Sequence, residues 1–512
     1  MAASERRRRL LPALALAALF LLACRMTGVS LPLLVRRGGH LTDIVSRLFP
    51  PDAAFFPTAL PLLGTTIQMS VTGTALGALL ALLAAPLCAR SVPGPRLLKK
   101  LARGCIQVLR SFPALILALP ATFLFGLTSF SGAAAITVYT FAIMTRLTYE
   151  DLESAPAAPF RALLAMGSPV PSACFRALMP AVRPAFLTNV LYLLEANVRH
   201  SAILGYVGAG GIGLLLNEKV SWREYDKVGA ILVLLFAAVF LMERLGAFLS
   251  AVVRGERLLS PGARRLLTAA LAGAVLLCTV TLQPPDLSHT SPALLRSMVS
   301  GLLHPDWSLF ATLGGDGVWY LLLETVAIAF AGTCAGGAVS LAMVFFAAPR
   351  LVPRPLAAAV NLAVLAIRTV PFLIYGLIFI RVTGPGSFAG VLTLAMCSVG
   401  LLCKRFAQAI DAADPRPRQA LEAMGTSWLP RLARGLLPQL RAPFASAVLY
   451  RFDVNIREAS VLGLVGAGGI GAPLVFAMNQ YAWDKASALA LGLVLLAWLV
   501  DAVSARMRAR LG

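Results

Sequence analysis

The chain has 512 residues, of which 58% are hydrophobic and only 13% charged, and its mean hydropathy is +0.80. Soluble globular proteins carry about 25% charged residues, so the apolar surplus must face lipid, and a soluble enzyme or binding module is excluded. The formal net charge of +22 comes without a basic face bearing aromatic or helical readout elements, which argues against nucleic acid as a partner. It fits the gathering of Lys and Arg in cytoplasmic loops better than plain surface solvation.

The apolar runs are about 20 residues or longer, enough to cross a bilayer as helices, whereas a β-barrel would show alternating segments of about ten. The fold class is therefore all-α: a polytopic membrane protein of about twelve spans. Arg6, Arg7, Arg8 and Arg9 precede the first apolar run, Leu10 to about Gly28. No small-residue cleavage site follows, so this run is read as a span entering from the cytoplasm rather than a signal peptide. Arg36–Pro61 is read as an external loop with an amphipathic piece, although Arg36, Arg37 and Arg47 are basic residues on the wrong side.

Further spans follow at Leu62–Leu87, Cys105–Leu127, Ala133 to about Thr148, Pro184 to Tyr206, and Val228–Val253. Glu150–Arg183 is a polar insert between the fourth and fifth of the six. Arg254–Arg265 (RGERLLSPGARR) is a basic Gly/Pro linker. The plan then repeats, with spans at Leu266–Leu282, Val318–Ala347, Ala357–Val382, Phe388–Ala409, Pro443–Leu464 and Ala486–Val503. The expected domains are residues 1–255, with a core near 58–253, and 256–512, with a core near 318–507. This topology places both termini, the linker and both inserts in the cytoplasm, where most basic residues lie. The external loop Gln283–Gly317 carries Asp286, Asp306 and Asp316 against Arg296 alone.

The repeat is explicit in the residues. Asn197–Gly213 (NVRHSAILGYVGAGGIG) recurs as Asn455–Gly471 (NIREASVLGLVGAGGIG), 258 residues later. The same offset pairs Arg110–Pro113 (RSFP) with Arg368–Pro371 (RTVP), Ala165–Gly167 with Ala423–Gly425, and Pro180 with Pro438. A fixed offset over such a distance is tandem duplication.

GAGGIG satisfies G-x-G-x-x-G at Gly208, Gly210 and Gly213, with Gly211 between, and again at Gly466, Gly468, Gly469 and Gly471. A dinucleotide fingerprint must follow a strand in a βαβ unit, and here it follows a membrane span, so that reading is dismissed. Glycines suit a sharp turn or a close backbone approach, and irregular backbone at membrane depth needs protein or a water-filled cavity around it. A flexible loop is the alternative, but identical duplication favours a constraint shared by both halves.

Just before this motif, Asn197 and Arg199, with Asn455 and Arg457, place polar groups inside apolar helices. Two readings stand together: a solute path or gate, and internal pairs of Arg199 with Glu195 and Arg457 with Asp453 at i,i+4. Arg110 and Arg368 are read as ordinary charges at span ends. The eight cysteines show no CxxC spacing and the four histidines are scattered, so neither a disulfide framework nor a metal site is expected, and no catalytic set of residues assembles.

The inserts read FRALLAMGSPVPSACFRALMP (Phe160–Pro180) and RQALEAMGTSWLPRLARGLLP (Arg418–Pro438), each a short helix, a glycine, and a proline 13 residues on (167 to 180, 425 to 438). This spacing resembles the coupling motif EAA-x3-G-x9-I-x-LP of bacterial ABC importer permeases. Ala162, Gly167 and Pro180, and Ala420, Gly425 and Pro438, occupy its fixed positions. The motif's leading acid falls on Arg161 and Gln419, and its isoleucine on Ala177 and Gly435. The Asn–Arg lead into VGAGGIG resembles the phosphonate-type permeases in particular, once per half, as a fused pair of type I, MetI-like domains.

The resemblance implies a permease in the bacterial cytoplasmic membrane that imports phosphonate or a phosphate- or phosphite-like oxyanion. It implies two copies of a separate ABC ATPase, one docked on each insert, and a periplasmic or lipid-anchored solute-binding protein. ATP would sit on the partner subunit, and this chain has no G-x4-GK[ST] loop of its own. The alternatives are a permease for another small solute and a twelve-span secondary transporter; the latter leaves the inserts with nothing to dock.

Overall fold

The computed structural model describes residues 2–286, 292–312, 314–349 and 351–511, with side chains described from 14 to 507. The side chains of Arg6–Arg9, His289 and part of the loop Gln283–Gly317 lie outside the described residues. Every regular element among the described residues is a helix, as expected where lipid offers the backbone no hydrogen-bond partner.

From Arg96 onward the two halves repeat helix for helix at the offset of the sequence. The first half runs Phe56–Cys88, Arg96–Ser111, Ala114–Phe125, Ser129–Ser154, Ala158–Ala165, Met179–Leu204, Ile212–Ser221 and Tyr225–Val253. The second runs Val318–Ala347, Arg354–Thr369, Phe372–Thr383, Ser387–Ala412, Arg416–Ala423, Leu437–Leu462, Gly471–Asn479 and Trp483–Leu511. Only the leading long helix is out of step: Thr66 and Thr325 take equivalent places 259 residues apart (66 to 325).

Two expected spans are not continuous helices. Cys105–Leu127 and Ala357–Val382 are each broken, with bends of 93° and 86°. The breaks fall at the RSFP and RTVP tetrapeptides. A proline disfavours the α region for the residue before it, and Phe112 (φ −91°, ψ 130°) and Val370 (φ −65°, ψ 123°) are accordingly extended. The first span also continues past a 63° bend into a second helix, Leu31–Arg47, in the region expected as a loop.

Among the described residues eight helices are long and apolar enough to cross a membrane, or up to eleven if each bent pair is one span. The eleventh expected span, Pro443–Leu464, lies in Leu437–Leu462, whose Arg441, Arg451, Asp453, Arg457 and Glu458 make it too polar to qualify by composition.

Small residues let the long helices approach closely. A Cβ on Gly73 would come within 2.7 Å of Ile136, and one on Gly77 within 2.7 Å of the Thr137 carbonyl oxygen. Gly332 and Gly336 repeat the arrangement against Leu394 and Ala395. This is the small-xxx-small packing of membrane helices; it seats Phe56–Cys88 on Ser129–Ser154 and Val318–Ala347 on Ser387–Ala412.

By contacts the chain divides into two compact units, Arg47–Ser297 and Met1–Ser46 with Met298–Gly512. In the first unit the helix Pro261–Val280, from the start of the second repeat, packs on Phe56–Cys88, and Gln68 Nε2 donates to Thr281 Oγ1 at 3.1 Å. In the other, Ala2–Met26 packs on Val318–Ala347. The repeat in sequence and the compact unit in space are therefore different divisions of the chain. Coexpressed as residues 1–255 and 256–512, the two pieces are expected to copurify in equal amounts through a tag on either one. Recovery of the tagged piece alone would contradict the exchange of helices.

Candidate functional site

The inserts are set by their glycines. The helices Ala158–Ala165 and Arg416–Ala423 end with Gly167 and Gly425 in the left-handed region (φ 80° and 68°). Gly167 N donates to Leu164 O (3.0 Å) and Ser168 N to Leu163 O (3.0 Å); Gly425 N and Thr426 N repeat this to Glu422 O (2.9 Å) and Leu421 O (3.2 Å). These paired bonds are a Schellman cap. No atom lies within 4 Å of a Cβ built on either glycine, so backbone conformation and not space selects the residue.

One helical turn and a π-helical turn, Cys174–Leu178 or Arg431–Leu436, then lead into the long helices carrying Pro180 and Pro438. A proline ring clashes with the carbonyl four residues back in an α-helix, and a wide turn relieves that clash. Ala162, Gly167, Pro180, Ala420, Gly425 and Pro438 are all exposed. Phe160 anchors the first insert among Leu152, Cys174 and Leu178. In the second, Arg418 takes its place, and Arg431 ties the insert through Glu422 (2.8 Å) and the Thr426 carbonyl (2.7 Å).

At the other end of the long helices, Gly208, Gly210 and Gly211 have φ of 82°, 77° and 75°, and Gly466, Gly468 and Gly469 have 82°, 81° and 79°. Gly208 and Gly466 close Schellman caps, with Ala209 N on Leu204 O (3.3 Å) and Ala467 N on Leu462 O (3.1 Å). Gly213 and Gly471 serve close approach instead: a Cβ there would run into the carbonyl oxygens of Ala202 and Ser460. Gly205 and Gly463, not singled out by sequence, face the same constraint against the backbone of Leu214 and Ala472. Each turn is fastened to the leading long helix, Ile212 N donating to Thr66 Oγ1 (2.8 Å) and Ile470 N to Thr325 Oγ1 (3.0 Å).

Asn197 and Asn455 are 0% exposed. Asn197 Nδ2 donates to Thr74 Oγ1 and Thr140 Oγ1, both at 2.8 Å; Asn455 Nδ2 donates to Thr333 Oγ1 (2.6 Å) and Ser398 Oγ (2.9 Å). In the second half both hydroxyls donate to their own helices, at Ala329 O and Leu394 O, so they offer only lone pairs and the amide must turn its NH2 to them. Each asparagine thus clamps three helices. Sequence reasoning missed the partners because a threonine in an apolar helix usually bonds within its own turn and carries no tertiary signal.

The charges beside the asparagines are paired along their own helices. Arg199 Nη1 lies 2.9 Å from Glu195 Oε1, and Arg457 Nη2 3.0 Å from Asp453 Oδ2.

Residues 73–255 and 338–512 both match the family described as binding-protein-dependent transport system inner membrane component. The chain belongs to this family. Its relatives include the phosphate-import permease protein PhnE of Mycolicibacterium smegmatis, 28% identical over 489 residues, covering 93% of this chain and 90% of that protein. The phosphite transport system permease protein PtxC of Stutzerimonas stutzeri is 38% identical over 188 residues, 36% of this chain and 68% of that one. A putative cryptic phosphonate transport system permease protein, PhnE2 of Escherichia coli, is 36% identical over 118 residues, 23% of this chain and 97% of that one. This inner membrane component is a multi-pass membrane protein and a permease subunit.

The two halves of the inner membrane component fill one buried space with different chemistry. In the second half Arg451, 3% exposed, reaches Glu458 at 2.7 Å and Ser398 Oγ at 3.1 Å. The equivalent positions 258 residues earlier are Leu193 and His200, and His200 packs edge-on to Tyr139 at 5.2 Å where the second half has Cys397. One half closes this space with an ion pair, the other with an aliphatic and an aromatic contact.

Proposed function

We propose that this chain is the whole membrane-spanning path of an ABC importer for phosphonate or a phosphate- or phosphite-like oxyanion. The similarity to the M. smegmatis phosphate-import permease over 93% of the chain carries the reading, because it spans both halves and the linker between them. Names of relatives matched by single halves, for phosphite and phosphonate, point to the same class of tetrahedral anion.

In this reading one ATPase subunit docks on each exposed insert, at Ala162, Gly167 and Pro180 and at Ala420, Gly425 and Pro438, and both ATP molecules bind there rather than on this chain. An extracytoplasmic binding protein delivers solute at the opposite end. Both termini are cytoplasmic, with the basic linker and inserts, by the positive-inside rule. The glycine turns at Gly208–Gly213 and Gly466–Gly471, with the clamps Asn197 and Asn455 and the pairs at Arg199 and Arg457, form the gate of each half. Two discrete helix arrangements joined at stiff turns are what alternating access requires.

The test is uptake by proteoliposomes holding this chain, its ATPase and the binding protein, with radiolabelled methylphosphonate, phosphate and phosphite. ATP-dependent accumulation of one of the three is expected. Gly167→Trp with Gly425→Trp should abolish it without loss of membrane insertion, since any side chain there strains the cap. Uptake driven by an ion gradient without the ATPase would make the chain a secondary transporter, and ATP-driven uptake of an unrelated solute alone would overturn the oxyanion assignment.

A further inference from the structure

At Gly28, Gly167, Gly208, Gly255, Gly425 and Gly466 a helix ends on paired cap bonds with a left-handed residue, and that residue is glycine each time. Two further ends have the same bonds and a different residue. Arg223 (φ 62°) donates to Val220 O with Glu224 N on Lys219 O, and Tyr481 (φ 57°) donates to Met478 O with Ala482 N on Ala477 O. The two positions are equivalent, 258 residues apart (223 to 481). A left-handed conformation strains any residue with a Cβ, and glycine would relieve it. Strain kept in both copies points to a use for the side chains.

For Arg223 that use is not local. Arg223 is exposed and makes no ion pair among the described residues, since Lys219 lies 3.0 Å from both Glu218 and Glu224, and Lys227 3.0 Å from Glu224. Hydrogen bonds from Glu218 and Glu224 push the Lys219 ammonium up, and Lys219 with Lys227 holds the Glu224 carboxyl below its usual range. The clasped Lys219 lies 4.9 Å from the ring centroid of Trp222, which is 66% exposed. In the second half Tyr481 is 55% exposed and stands edge-on to the buried Trp483. Each turn therefore presents an aromatic ring already held in place, with a cation beside it in the first half; pre-ordered aromatic and Arg side chains are the usual anchors of protein contacts.

We propose that Trp222–Arg223 is the first half's contact with the extracytoplasmic solute-binding protein, acidic side chains of that protein meeting Arg223, and that Tyr481 is the second half's. This rests on the importer reading, which puts these turns outside: they follow the glycine turns, at the end of each half away from the inserts. The family is defined by dependence on a binding protein, so that end of each half has a partner to meet. Aromatic residues at the lipid interface would explain Trp222 and Tyr481 but would not need a strained backbone at the next position or at their own.

The experiment uses the full transporter with its ATPase in nanodiscs and a fluorescent phosphonate-binding protein from the same organism, loaded with methylphosphonate. Arg223→Gly and Tyr481→Gly, separately and together, remove the side chains and the strain at once. The complex is expected to keep or raise its thermal midpoint while affinity for the binding protein falls at least tenfold in the double variant. Uptake should recover at high binding-protein concentration, and Arg223→Glu should bind more weakly than Arg223→Gly. A lowered thermal midpoint with unchanged affinity would make both residues structural and overturn the proposal. Unchanged affinity in all variants, with wild-type binding intact, overturns the docking surface alone, whereas a wild-type transporter that binds no binding protein overturns the importer reading with it.

Discussion

Arg451→Leu alone is expected to be one of the most damaging substitutions in the second half. It leaves Glu458 without the guanidinium that lies 2.7 Å away, and breaking a buried pair by removing one partner costs about 3–5 kcal/mol. Adding Glu458→His recreates the first half's own pair, Leu193 and His200, and should recover most of the loss, because replacing both members of a buried pair is often close to neutral. Cys397→Tyr supplies the remaining partner, the counterpart of Tyr139. The measurement is a double-mutant cycle on the thermal midpoint of the purified transporter. Additive losses would mean that the two charges are not coupled and that the observed pairing contributes nothing.

The second large effect concerns close approach. Gly213→Ala and Gly471→Ala each drive a methyl group into a backbone carbonyl oxygen, of Ala202 or Ser460. Overpacking of this kind costs about 1–3 kcal/mol even where side chains can yield, and a helical carbonyl cannot rotate away. Both variants are expected to lose uptake and to run as aggregate in size-exclusion chromatography. Gly210→Ala is the control: its Cβ would meet nothing nearer than 3.8 Å, so only the positive φ is strained. It should remain monodisperse with a modest fall in thermal midpoint. Wild-type behaviour of Gly213→Ala would show that the hairpin between the long and short helices is looser than its backbone contacts require.

These two predictions share a basis in duplication. Gly213 and Gly471 are the same in both halves because their constraint is backbone on backbone, which no change of side chain elsewhere can relax. The Arg451 site differs because side chains fill it, and any set that satisfies its volume and polarity serves. Identity at these glycines therefore marks where the backbone itself is the constraint, and divergence at Arg451 marks where packing offers alternatives.

Several tertiary features left traces that sequence reasoning read too simply. RSFP and RTVP stood out as repeated tetrapeptides, yet the surrounding apolar run suggested one continuous span; the restriction that proline places on Phe112 and Val370 decided otherwise. The i,i+4 pairs at Arg199 and Arg457 were legible because helical spacing alone brings such residues together. The pair from Arg451 to Glu458, seven residues apart, lies beyond that local rule and depends on the neighbouring helix that supplies Ser398.

The sequence by itself determined the class, the duplication and the family. Apolar length, charge placement and residues repeated at one offset are properties of the chain that lipid and local backbone sterics convert directly into structure. Only the tertiary structure decided that Asn197 and Asn455 are clamps onto specific hydroxyls, and that Gly205 and Gly463 are held by backbone contact. It also decided that each repeat's first helix packs in the other's compact unit. The physical reason is common to all of these: each depends on which atoms of distant segments come within a few ångströms, and one strand of residues records the chemistry of each group without recording its neighbours.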